Sequence, residues 1–191
     1  MANLVEDFEL NIVTDSGHTI GEGLSLNGGD PNNLVDASRD INSLAGYLEL
    51  HIEQGEVLDR KQIDIGIVEG IVGIKRWNVL VDGKTNHAGT TPMNDRSDSL
   101  VAASSFIQNV YSIAKSIEGT QVATVGRIKS TPGAPNVIPG ETRLSLEIRD
   151  LEMDKIDMLF DAFQKKSEEI SLSFNVDFQF DQFYVSEAAP T

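Results

Sequence analysis

The stretch ETRLSLEIRD, residues 141–150, alternates without a break. Leu144, Leu146 and Ile148 fall on one side of an extended chain, and Arg143, Ser145, Glu147 and Arg149 on the other. Period two over this length marks a half-buried β-strand. Strands with one apolar and one polar face predict an antiparallel sheet covered on a single side. Upstream, IVGIKRWNVLVD (71–82) repeats the pattern with Trp77, Val79 and Val81 on one face. QVATVGRIKS (121–130) and SFNVDFQFD (173–181), the latter alternating Phe174, Val176, Phe178 and Phe180, supply two more strands. Helical spacing of Ala103, Phe106, Val110, Ile113, Ala114 and Ile117 predicts a helix over 98–118, with Gly119 at its stop. Met153, Ile156, Leu159, Phe160, Phe163 and Ile170 predict another over 153–170. The order is β-α-β-β-α-β, the ferredoxin-like split βαβ. The expected fold class is therefore α+β, a four-stranded antiparallel sheet with two helices on one face. The other face is left to water, a ligand or a partner.

The first 70 residues complete nothing by themselves. SLNGGDPNN (25–33) is a strong loop signal, and short helices are predicted within 15–26 and 36–46. Tyr47–Ile52 reads as one strand, and a lone strand needs a sheet to join. Composition narrows the function classes. The formal charge of −15 argues against a nucleic-acid or anionic-membrane surface. The absence of cysteine excludes disulfides and thiolate metal sites. No apolar run approaches the ~20 residues needed to span a bilayer. The N-terminal MANLVEDFEL lacks the basic and apolar regions of a signal peptide, so a cytoplasmic location is expected.

Three segments carry candidate chemistry. In LELHIEQGEVLD (48–59), His51 stands between Glu49 and Glu53 with Gln54 close by. It reads as a metal ligand or as a hydrogen-bonded structural histidine, and neutral imidazole suits zinc. In KTNHAGTTPMNDR (84–96), His87 is followed by a small glycine pivot, two threonines and Pro92. That describes an ordinary loop, or a histidine placed to hydrogen-bond an oxyanion or carbonyl oxygen. In TPGAPNVIPGE (131–141), prolines and glycines stiffen a loop around Asn136. Arg149 and Arg76, on the polar sides of their strands, have the fork geometry to clamp a carboxylate, and isolated arginines are as readily just solvated.

ELHIEQG (49–55), GIKRWNV (73–79), NHAGTTPM (86–93), PNVIPG (135–140) and LEIRD (146–150) occur in one order. Together they resemble the zinc-dependent amidohydrolases of the hydantoinase/carbamoylase family, which comprises N-carbamoyl-L-amino acid hydrolases, allantoate amidohydrolases and β-ureidopropionases. The resemblance implies an α/β catalytic domain holding two divalent metal ions (zinc, manganese, cobalt or nickel) with a smaller lid and dimerisation domain inserted in it. It implies that His51 is a metal ligand, that Gln54 contacts substrate, and that His87 binds substrate and stabilises the tetrahedral intermediate, often from the other subunit. Asn136, Arg149 and Arg76 match positions that hold the substrate's carboxylate and ureido groups.

The family's remaining metal ligands have no counterpart here. Residues 1–69 are therefore expected to be a partial segment of the catalytic domain ending in the His51 strand and hinge, 70–183 the lid, and 184–191 a return linker. Such a chain is expected to form a homodimer through the lid, to hold no metal stably and to be inactive alone. A non-catalytic ferredoxin-like module that binds a ligand or regulates by dimerising is the competing expectation.

Overall fold

A computed structural model describes residues 8–190. The chain divides into two compact units, residues 1–63 and 64–191. The first holds two short helices, α1 (Ile20–Leu26) and α2 (Val57–Lys61). Thr19 opens α1 with a reciprocal capping box, its hydroxyl accepting from the Glu22 amide at 3.1 Å and its own amide donating to the Glu22 carboxylate at 2.8 Å.

Two expectations for this unit fail. The segment 36–46 forms no α-helix, only single turns at Leu34–Ala37 and Ile41–Ser43. Asp40 is the reason. Its carboxylate accepts from the Asn42 amide at 3.0 Å and its carbonyl accepts from the Ser43 hydroxyl at 2.7 Å, which closes a local turn in place of helical bonds. Residues 47–52 are not a strand either. No described residue pairs with them, and Leu48 and Leu50 stand 96% and 92% exposed. Alternation supplies an apolar face, but a ladder also needs a neighbour.

The second unit begins with β1 (Gly70–Ile71) and continues through β2 (Gly73–Asp82), β3 (Asn86–His87), α3 (Ser99–Ser116), β4 (Val122–Thr131), β5 (Val137–Ile138), β6 (Glu141–Asp150), α4 (Met153–Phe174), β7 (Asp177–Ser186) and β8 (Ala189–Pro190). The four long strands form one antiparallel sheet in the order β4-β6-β2-β7, the ferredoxin-like arrangement. β3 pairs with β5, and β1 with β8.

Trp77, Val79 and Val81 of β2 and Leu144, Leu146 and Ile148 of β6 are all buried with residues of α3 and α4. Trp77 stacks on Phe160 of α4 with ring centres 4.2 Å apart. Asp98 caps α3, its carboxylate accepting from the amides of Leu100 and Val101.

The second half of α4 departs from expectation. Phe174, read above as the start of the last strand, closes the helix instead, one turn beyond Ile170. Asn175 then takes the left-handed conformation, φ 51°, and stops it. The strand starts at Asp177 and runs to Ser186, held by its register along β2. No helix of the described residues is long and apolar enough to cross a membrane.

The paired inner faces carry the stability of this unit. Leu146→Ala should destabilise it by roughly 2–5 kcal/mol in chemical denaturation, the cost of a large-to-small change at a filled site. Leu48→Ser, at an exposed position, should shift the midpoint of the 191-residue chain very little.

Candidate functional site

Two loops meet at one end of the sheet. The segment leaving β2 and the β4–β6 connection are zipped together by β3 and β5, with His87 opposite Val137 and Asn86 opposite Ile138. The Ala88 amide donates to the Asn136 carbonyl at 2.9 Å, and Gly83 donates to Gly140 at 2.7 Å. Gly140 permits this approach, because a methyl group there would run into Thr85. His87 and Asn136 are thus brought side by side, both exposed. The loop's bonds use the Asn136 backbone and leave its amide side chain free within the described residues.

The His87 ring is oriented from within its own loop. The Gly89 amide donates to His87 Nδ1 at 3.0 Å. Nδ1 therefore carries the lone pair, and the neutral ring presents Nε2–H as a donor. The loop is pinned by Arg96, whose guanidinium donates to the carbonyls of Ala88 (2.7 Å) and Thr91 (3.1 Å). Sequence reasoning passed over Arg96.

Arg76 and Arg149 lie elsewhere on the sheet, away from the His87 loop. Arg149 lies eight residue steps along β6 from Glu141 at the loop end, about 27 Å of extended strand. Both arginines face outward and share one carboxylate. Arg76 Nε donates to Glu147 Oε2 at 2.5 Å and Arg149 Nε to Glu147 Oε1 at 2.6 Å. The Arg76 guanidinium also lies 4.7 Å over the ring of Tyr184. Partial burial pushes the Glu147 carboxyl up, but the bonds and charges of Arg149 and Arg76 outweigh it and hold it below the ordinary glutamate value. Glu147 was not singled out from the sequence, where it looked like one more outward residue of an alternating strand.

In the first unit, His51 is exposed and its Nδ1 lies 2.6 Å from the Ile52 carbonyl. A carbonyl only accepts, so Nδ1 carries the proton and Nε2 keeps its lone pair, the state suited to a metal ligand. Its carboxylate neighbours are engaged. Glu53 accepts from the amides of Val57 and Leu58 at the start of α2, and Glu49 accepts from the Tyr47 hydroxyl. Gln54 holds a left-handed backbone, φ 56°, between the extended segment and α2. Among the described residues no three His, Cys, Asp or Glu side chains come together as a metal site. The described residues therefore do not by themselves assemble a two-metal centre.

Residues 70–175 match the family described as the peptidase dimerisation domain. The chain belongs to this family. It is 36% identical over 185 residues to an N-carbamoyl-L-amino-acid amidohydrolase of Paenarthrobacter aurescens, covering 96% of this chain and 45% of that protein. It is 33% identical over 156 residues to the allantoate amidohydrolase of Escherichia coli (strain K12), covering 80% of this chain and 37% of that protein. The crystal structure of a hydantoinase/carbamoylase family amidase from Burkholderia phymatum superposes with a TM-score of 0.82 at 30% identity, over 97% of this chain and 46% of that one. The chain thus spans less than half the length of these relatives.

Because the Glu147 carboxyl is depressed by its arginines, its contribution to stability is complete above the ordinary glutamate range and is lost as pH falls through the depressed value. Arg149→Ala should move the Glu147 titration, followed by carboxyl carbon NMR, back up toward the ordinary value and shift the acid end of the stability profile with it.

Proposed function

We propose that this chain is the lid and dimerisation part of a metal-dependent amidohydrolase that cleaves linear carbamoyl or ureido C–N bonds, in N-carbamoyl-L-amino acids or allantoate. The observation that carries the reading is the His87 tautomer. A neutral imidazole fixed by Gly89 offers one directed Nε2–H, the donor that a developing oxyanion requires. Asn136 beside it adds an amide for the ureido group, and Arg149 and Arg76 bind the carboxylate. Gln54 is a further substrate contact. His51, with Nε2 unprotonated, is one ligand of a divalent metal centre whose other ligands come from outside residues 1–191. The segment 1–69 is then part of the catalytic domain, 70–183 the lid and 184–191 the return to it.

Spacing along the sheet supports a homodimer. A gap of about 27 Å along a strand is too long for one small substrate to bridge, so His87 and Asn136 act with Arg149 of a second copy. Antiparallel pairing of two sheets edge to edge reverses their ends and brings these groups together. Pairing through β4 leaves three strand spacings between the two β6 strands, about 14 Å. Pairing through β7 leaves five, about 24 Å. The β4 edge therefore fits, and the connection bearing Asn136 joins that same strand to β6.

Two measurements test this. The purified chain should hydrolyse neither N-carbamoyl amino acids nor allantoate above a metal-only blank. In the polypeptide that joins it to a metal-bearing domain, His87→Ala should lower kcat by about 10²–10³-fold, the usual loss for one oxyanion donor. Turnover by the chain alone, or an unchanged kcat, contradicts the reading. For the interface, sedimentation should show a dimer that Ile128→Asp on β4 dissociates and Phe183→Asp on β7 does not.

A further inference from the structure

The outer-face cluster is a chain of four side chains in which the two arginines have different surroundings. Tyr184, Arg76 and Glu147 stand opposite one another across β7, β2 and β6, and Arg149 lies two residues further along β6, opposite Ile74. A bulge makes the row possible. Gln182 pairs with Trp77 and Tyr184 with Arg76, which leaves Phe183 as the extra residue. Without that extra residue, Tyr184 would have the opposite parity and face the helices.

Arg76 is held from two sides, by the Tyr184 ring and by Glu147 Oε2. Arg149 has one partner among the described residues, Glu147 Oε1. That bond uses Nε and fixes the plane of the guanidinium. The two terminal amino groups make no hydrogen bond within the described residues, and their shared edge matches the two oxygens of a carboxylate.

We infer that Glu147 is a positioning residue: anchored by Arg76 on Tyr184, it sets the direction of the Arg149 guanidinium toward an incoming carboxylate. The inference rests on reading Arg149 as a substrate-binding residue, and it adds Glu147 and Tyr184 to the specificity apparatus for carboxylate-bearing substrates. Removing a negative charge beside a cation ordinarily strengthens its attraction for an anion. A positioning role reverses that sign, because a guanidinium without its anchor loses the preorganisation that makes two parallel bonds possible.

The test uses the 191-residue chain and N-carbamoylglycine, with the Arg149 Nε–H resonance followed by NMR. The wild-type signal should shift saturably with the acid and not with the corresponding uncharged amide. Glu147→Gln should weaken the acid's affinity about fivefold, roughly 1 kcal/mol, and Tyr184→Ala should weaken it to a smaller extent, with the backbone spectrum of the sheet retained in both. Unchanged or tighter binding in Glu147→Gln, or no saturable shift at Arg149 in the wild type, overturns the inference. Turnover in the longer enzyme is a separate readout. A protein that binds the carboxylate through Arg149 yet hydrolyses no carbamoyl substrate would lose the functional reading and keep this one.

Discussion

Alternation along β2 and β6 does two things at once. It drives Trp77, Val79 and Val81, and Leu144, Leu146 and Ile148, under α3 and α4, where they are removed from water. The same two-residue period sends Arg76, Asn78, Arg143, Ser145, Glu147 and Arg149 to the opposite face. The outer face is therefore as strictly specified as the core. A slip of one residue in the β2–β6 register would turn one of the two strands over, exposing its core residues and burying either Arg76 or both Arg143 and Arg149, which makes the register costly to change. The carboxylate shared by Arg76 and Arg149 depends on that register, since Arg76 meets Glu147 only as its direct cross-strand partner.

The sheet was legible because its signal is local and repeated. The 141–150 strand matches its reading residue for residue, and α3 differs by only a residue or two at each end. The reading failed where two patterns share residues. Phe174 fits a strand with Val176 and Phe178, and it fits a helix four residues after Ile170. The left-handed Asn175 decides for the helix, and nothing in the periodicity announces that conformation. The segment 47–52 failed for a different reason, since pairing is a property of two strands and the sequence displays one. The site was half legible. Residue types at His87, Asn136 and Arg149 suggested chemistry, but the bonds that orient them come from Gly89, Arg96 and Glu147, whose roles exist only once the loops and strands are placed.

The two histidines show how much a single local bond decides. His51 meets a backbone carbonyl through Nδ1, and His87 meets a backbone amide through the same atom. One contact requires a proton on Nδ1 and the other forbids it. The rings are left with opposite Nε2 character, a lone pair at His51 and an N–H at His87. The first is what a cation needs and the second is what an anion needs. Each tautomer is fixed within two residues of its histidine, so the division does not depend on how distant parts of the chain pack.

Charge along the outer face gives the sheet a direction. At one end Arg76 and Arg149 share Glu147, leaving a net positive charge. At the other end Asp177, Asp82 and Glu141 stand opposite one another across β7, β2 and β6. Arg143, bonded to Glu141, and Lys129 beside it on β4 offset two of them, which leaves this end with a small negative excess. Parallel side-by-side pairing of two such sheets would set like ends together, whereas antiparallel pairing sets each positive end beside a negative one. These charges are half-buried or exposed and are screened over roughly 8–10 Å at physiological salt where they meet water, so they contribute orientation more than affinity. Orientation is what the proposed site, split between the two ends of the sheet, requires. In a chain of net charge −15, a small local excess of guanidinium also makes a place where the general repulsion of an anion is reversed.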